Sequence, residues 1–158
     1  MKSETASWIS GLMRENYDAV GFIPEPTLNR QYVEKDRCIF QKDNKGKQVG
    51  YLLHGALLPG RAVHVAQACI LHEKRLLDFG TQAVDELAQR AESANASSIR
   101  LRCAEDLEAL HFWIRNGFSV EGWEAPDNKR KRRIIVLSRP LALPLFRMPP
   151  CEKNGLLV

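Results

Sequence analysis

A largely apolar run, Ala62–Leu71, passes through Lys74-Arg75-Leu76-Leu77-Asp78-Phe79-Gly80 into a segment of helical period. Near-continuous burial on both faces belongs to a strand inside a sheet rather than at its edge. Leu77, Val84, Leu87, Ala88 and Ala91 then recur at helical spacing, which predicts a helix laid across that sheet. A turn at such a junction aims backbone N–H groups at one spot, and the helix N-terminus adds partial positive charge there. A phosphate is the natural occupant.

The remaining segments give this junction its surroundings. Trp8, Ile9, Leu12, Met13 and Asn16 predict one side of an opening helix that ends near Gly21, after which Pro24 and Pro26 break regular structure. Cys38–Gln41 and Gln48–Gly55 read as a hairpin around Asp43-Asn44-Lys45-Gly46. Leu58-Pro59-Gly60-Arg61 leads into the central run. Ile99–Cys103 is a further strand, and Asp106–Arg115 a helix with Leu107, Leu110, His111 and Ile114 on one stripe, ended by Gly117. Phe118–Gly122 and Ile134–Leu137 complete the strands. The order β-β-β-α-β-α-β-β predicts an α/β domain with a mixed, mostly antiparallel central sheet flanked by helices. That domain is expected to span residues 1–140. The Pro- and Leu-rich stretch 141–158 is expected to be a tail, packed or flexible.

Composition narrows the class without naming a ligand. A chain of 158 residues, 44% hydrophobic and 27% charged, suits one globular domain. Its net charge of +4 is compatible with an anionic ligand but does not select one. Cys38, Cys69, Cys103 and Cys151 form no close pair, so neither a zinc site nor a disulfide framework is expected, and no metal. Cys69 and Cys103 lie in strand-like runs and read as buried thiols. No apolar run reaches membrane-spanning length, so the expectation is a cytoplasmic protein without a membrane partner.

Two motifs resemble the GCN5-related N-acetyltransferase family over roughly Trp8–Pro140. The first, of the form Arg/Gln-x-x-Gly-x-Gly/Ala, is matched by Arg75 and Gly80, with Asp78 in place of the middle glycine. The second, Ala-x-x-x-Tyr-x-x-x-Gly-Phe, is matched by Ala109, Gly117 and Phe118, with Trp113 in place of tyrosine. The resemblance implies an acyl-CoA N-acyltransferase-like fold and acetyl-CoA lying where the third and fourth strands splay apart. It places the pantetheine arm on the backbone of Cys69, Ile70 and Leu71. The pyrophosphate falls to Arg75, Leu76, Leu77, Asp78, Phe79, Gly80 and Thr81, with Trp113 near the cofactor. Asp78 has three readings: an N-cap for Gly80 or Thr81, a carboxylate that opposes the phosphates, or a substrate contact. At about 4 Å the opposing arrangement costs roughly 4 kcal/mol at an effective dielectric of 20.

Acetyl transfer needs a neutral amine, a held thioester carbonyl and a route for the proton. Indole cannot act as the acid near neutral pH, so Trp113 reads as packing. Glu73, beyond the central strand, is the candidate acceptor of the amine proton. His111 is the candidate acid, against a core histidine on the apolar stripe. Lys129-Arg130-Lys131-Arg132-Arg133 is a basic run that suits a solvated turn, a nucleic acid or an acidic substrate. The first expectation is an N-acetyltransferase moving acetyl directly from acetyl-CoA to a primary amine of a small molecule or protein, with a homodimer possible. The alternatives are a CoA- or nucleic-acid-binding module of the same fold, or a nucleobase-modifying enzyme.

Overall fold

Helix α1 (Lys2–Glu15) buries Ala6, Ile9, Leu12 and Met13, the apolar side expected of it. A short helix α2 (Tyr17–Val20) follows and stops at Gly21, whose φ of 76° needs a residue without Cβ. The computed structural model describes residues 2–126 and 131–142. Pro24 and Pro26 start structure instead of breaking it. Pro24 precedes helix α3 (Glu25–Leu28), which runs on through a π-helical turn, Asn29–Val33. A proline in the first turn loses no hydrogen bond, because that N–H has no intrahelical acceptor.

Six strands form one sheet: β1 (Cys38–Lys42), β2 (Gln48–His54), β3 (Ala62–Ile70), β4 (Ser98–Ala104), β5 (Ser119–Glu124) and β6 (Ile134–Pro140). Their spatial order is β1-β2-β3-β4-β6-β5, with β3–β4 parallel and the other pairings antiparallel. The mixed, mostly antiparallel sheet expected from the sequence is therefore present. Helix α4 (Phe79–Ser93) and helix α5 (Ala109–Arg115) pack with Leu52, Val63, Ile99, Leu101 and Leu137. Helix α1 packs with Tyr51, Leu53 and Cys69. Tyr51 and Leu53 alternate with Leu52, so β2 is buried on both faces.

Several boundaries differ from expectation. Leu77 precedes α4 and is exposed, so it is not part of that helix's apolar face. Helix α5 begins at Ala109, after a turn over residues 105–108. His111 and Ile114 face solvent, and the buried side chain is Trp113. The buried stripe lies about one residue of rotation from the expected one, because the aromatic ring outweighs Ile114 in the apolar area it removes from water. Pro140 closes β6 opposite Ser98, and Leu141 is buried with its N–H donated to Ser97 O at 3.1 Å. Leu141, placed in the tail by the sequence, is thus packed in the core. The rest of the expected tail, from residue 143, lies outside the described residues. No described helix is long and apolar enough to cross a membrane.

Candidate functional site

The parallel seam of the sheet is short. β3 and β4 pair only through Ala62–Ser98, Val63–Ile99 and His64–Arg100. Beyond them β3 stays with β2 as far as Ile70, and β4 stays with β6 as far as Ala104, so the sheet divides into two halves. Among the described residues, the edge of β3 that faces the opening has no strand partner. Leu71 N–H donates to Val49 O at 2.8 Å, and Cys69 lies opposite Tyr51. By antiparallel alternation, Cys69 and Leu71 bond toward β2, while the polar groups of Ala68 and Ile70 face the opening. Of the three residues named from the sequence for this edge, only Ile70 therefore presents its backbone there. Ala68 was missed.

From the end of β3 a 3-10 turn, His72–Lys74, leads to the start of α4. Leu76 and Asp78 both have φ of 65°, in the left-handed region. Alternating left-handed residues turn successive N–H groups toward one side and make an anion-binding concavity. The amides of Leu76 through Thr81 have no backbone acceptor among the described residues. Asp78 explains how the loop keeps a conformation in which glycine is usual: aspartate tolerates this region better than most residues. It occupies the N-cap position, but its side chain makes no cap bond, which removes the capping reading. The Asp78 carboxylate is exposed, so solvent would screen its repulsion of any anion at this turn. Leu76 is 92% exposed and contributes backbone alone.

Arg75 turns back toward the strand. Its Nε donates to Ile70 O at 3.1 Å and its Nη2 to Asn16 Oδ1 at 2.8 Å, with Nη1 3.5 Å from His72 Nδ1. Asn16 in turn donates through Nδ2 to Leu12 O, so the end of α1 is tied to the turn that opens α4. Arg75 thus sits where the open edge of β3 meets the amide cradle. Burial pushes the Cys69 thiol up, against the opposing influence of Arg75.

Trp113 is 7% exposed and packs edge-on against Phe112 and Phe118, at centroid separations of 5.0 and 5.3 Å. It is a core residue. His111 lies two positions from Trp113, about 200° around the helix at 100° per residue, on the solvent side. Burial as a core histidine does not hold, and the structure does not bring His111 together with Trp113. Glu73 is exposed on the 3-10 turn next to the cradle. Phe79, Gly80 and Thr81 are half-buried in the first turn of α4.

Across the opening, on the α2 side, lies a polar chain that the sequence did not disclose. Gln67, 6% exposed, accepts from Tyr51 OH at 3.2 Å and donates to Val20 O at 2.9 Å. Arg132 donates through Nη1 to Asp18 O at 2.9 Å and through Nε to Asp106 Oδ1 at 2.8 Å. This hydrogen bond holds the Asp106 carboxyl below its ordinary value. Arg133 pairs with Glu105 at 3.2 Å and lies over the Trp123 ring at 5.0 Å. Lys129 and Arg130 lie outside the described residues. Both described arginines of the basic run are committed to carboxylates, so they do not form the free nucleic-acid-facing patch that the run suggested.

No family model and no curated protein matches the sequence. Solved structures do. Ard1 from Thermoplasma volcanium superposes with a TM-score of 0.75 at 13% identity, over 89% of this chain and 93% of that one. The ribosomal-protein-S18-alanine N-acetyltransferase from Escherichia coli gives 0.70 at 13% identity, over 87% and 88%. An aminoglycoside 6'-N-acetyltransferase complexed with coenzyme A gives 0.67 at 14% identity, over 87% and 91%. At these identities the likeness is one of architecture: a divided six-stranded sheet, with a helix that starts beside the opening, gives this protein the acyl-CoA N-acyltransferase fold of the GCN5-related N-acetyltransferases.

Proposed function

We propose that the protein is an N-acetyltransferase that takes acetyl from acetyl-CoA and passes it directly to a primary amine of a small molecule or protein. The observation that carries this reading is the run of amides without backbone acceptors, Leu76–Thr81, beside the unpartnered edge of β3. Amide donors fixed by the fold hold an anion at little further ordering cost, and the start of α4 adds its dipole. Acetyl-CoA supplies an activated acyl group whose sulfur leaves readily as a thiolate. The chain's own part is to hold the nucleotide on the cradle, to fix the arm along Ala68 and Ile70, and to accept the amine's proton. Glu73 is proposed for that last role, directly or through water.

The buried, ring-packed Trp113 favours a second reading, in which CoA binds but acetyl is not transferred. Isothermal titration with acetyl-CoA tests the cradle first. Thiol release is then followed across a polyamine, an aminoglycoside and peptides with free N-termini, with mass spectrometry of the products. Binding with an acetylated product supports the transferase. Binding without product on any acceptor supports the second reading, and no binding removes both.

A further inference from the structure

We propose that Arg132 straps the two halves of the divided sheet together on the α2 side and so sets the path by which the acceptor amine reaches the opening. It is a positioning residue. The inference rests on the reading of the β3–β4 opening as the acyl-CoA cleft. A cofactor held at the start of α4 occupies the helix side of that opening. A second substrate is then left the α2 side, which Arg132 crosses.

The strap runs through named contacts. Asp18 belongs to the β3 half: two residues on, Val20 O accepts from Gln67 Nε2, and Gln67 Oε1 accepts from Tyr51 OH on β2. Asp106 belongs to the other half, two residues past the end of β4, and Arg132 stands two residues before β6 of that same half, so the contact with Asp18 is the one that crosses. Arg132 Nη1 donates to Asp18 O and lies 3.4 Å from Asp18 Oδ1, while its Nε donates to Asp106 Oδ1. Two sets of side-chain hydrogen bonds, joined through the α2 backbone between Asp18 and Val20, therefore link the halves where β3 and β4 are not paired. The Arg132 side chain is 15% exposed, whereas those of Asp18 and Asp106 are 86% and 60% exposed. The Arg132 side chain is thus largely covered, while both of its carboxylate partners face solvent. A planar fork with donors on different sides serves two such acceptors at once, which a lysine ammonium on its flexible stem does not reproduce.

Cys103 on β4 reports on the strap. It is buried, and burial pushes its thiol up to about 11, with Arg132 acting against that rise and Asp106 adding to it. The test compares the native protein with Arg132→Ala, Arg132→Lys and Asp106→Ala. Iodoacetamide labelling under native conditions is resolved by site, with Cys38 and Cys69 as internal references. The expected result for Arg132→Ala is about a tenfold faster reaction at Cys103, the factor set by losing roughly one charge-assisted hydrogen bond. Cys38 and Cys69 keep their native rates, Arg132→Lys falls between, and Asp106→Ala shifts in the same direction. Hydrolysis of acetyl-CoA without amine rises, as water reaches the opening. An unchanged Cys103 rate, or equal acceleration at all three cysteines, overturns the strap. Failure of acetyl-CoA to bind removes the transferase reading, and with it the amine path, while selective exposure of Cys103 still supports the mechanical link. Native turnover with an acceptor KM unaltered in Arg132→Ala leaves the transferase standing and removes this role for Arg132.

Discussion

Gly80 and Phe112 pack so closely that a Cβ on Gly80 would stand 2.9 Å from Cε2 and Cζ of the ring. The glycine at this motif position has ordinary helical φ, so its requirement is space for α5 against the first turn of α4. Gly80→Ala forces the ring aside. Overpacking costs about 1–3 kcal/mol, against roughly 1 kcal/mol gained in helix propensity. The expected net loss is about 1 kcal/mol, read as a lower urea midpoint. A midpoint at or above the native value would contradict the packing role.

Leu76 and Asp78 share one backbone conformation but carry different side chains. Leu76→Gly relieves about 1 kcal/mol of left-handed strain, partly offset by the freer unfolded chain, and the exposed side chain gives up no packing. Asp78→Gly gains less stability, because aspartate is better tolerated there, but it removes a negative charge beside the proposed phosphate site. Leu76→Gly is therefore expected to raise the unfolding midpoint more, and Asp78→Gly to raise CoA affinity more. Calorimetric titration and urea unfolding of both variants check the crossover, and the affinity gain of Asp78→Gly should shrink at high salt.

Arg75 and Asn16 separate cofactor binding from anchoring. Asn16→Ala removes the partner of Arg75 Nη2 and the tie to Leu12 O, with no change in charge at the cradle. Arg75→Glu reverses that charge. Arg75→Glu should weaken CoA binding strongly, with a stability change of about 1 kcal/mol or less for so exposed a contact. Asn16→Ala should affect stability slightly and CoA affinity less. Equal affinity losses in the two variants would assign Arg75 to anchoring alone.

Trp113→Tyr restores the phenol found in the family motif. The smaller ring leaves space beside Phe112 and Phe118, so the unfolding midpoint should fall, by about 1–3 kcal/mol of stability. At saturating acetyl-CoA and amine, kcat should rise if proton delivery to the sulfur limits turnover. An unchanged kcat with the expected stability loss would show that the thiolate leaves unaided.

The Asp106 carboxyl gives a pH signature for Arg132. Its folded-state value is lowered, chiefly by the hydrogen bond from Arg132. A depressed carboxyl contributes stability above its unfolded value and loses it as pH falls through the folded one. The contact should therefore survive at pH 3.8, where an ordinary aspartate is half protonated, and release only at lower pH. Carboxyl carbon chemical shifts of Asp106 follow this directly, and Arg132→Ala should return the titration to the ordinary range.

Elements with a strong repeat were legible in the sequence. The six strands fall within a few residues of their expected places, and the buried face of α4 follows Val84, Leu87, Ala88 and Ala91. Arg75 and Gly80 marked the turn that opens α4, but not its geometry: Leu76 adopts left-handed φ without a glycine to announce it. Ala68 and Ile70 could be told from Cys69 and Leu71 only once the register with β2 was known. Arg132 lay hidden in a run of like charges, since its partner Asp18 is 114 residues away and nothing local marks such a pairing. His111 lies on the solvent side of α5 and not on the expected stripe, since an imidazole reads as either polar or apolar at helical spacing.

The brevity of the parallel seam bears on how the chain assembles itself. β1, β2 and β3 are successive in the chain and pair as a meander, so their contacts close small loops. Pairing β4 with β6 spans α5 and β5, and joining β3 to β4 spans α4 with only three residue pairs to reward it. Closure of longer loops costs more entropy before any contact repays it. The local pairings of β1, β2 and β3, and of β5 with β6, are thus expected to form before the seam, which leaves the opening as the part of the sheet expected to close last.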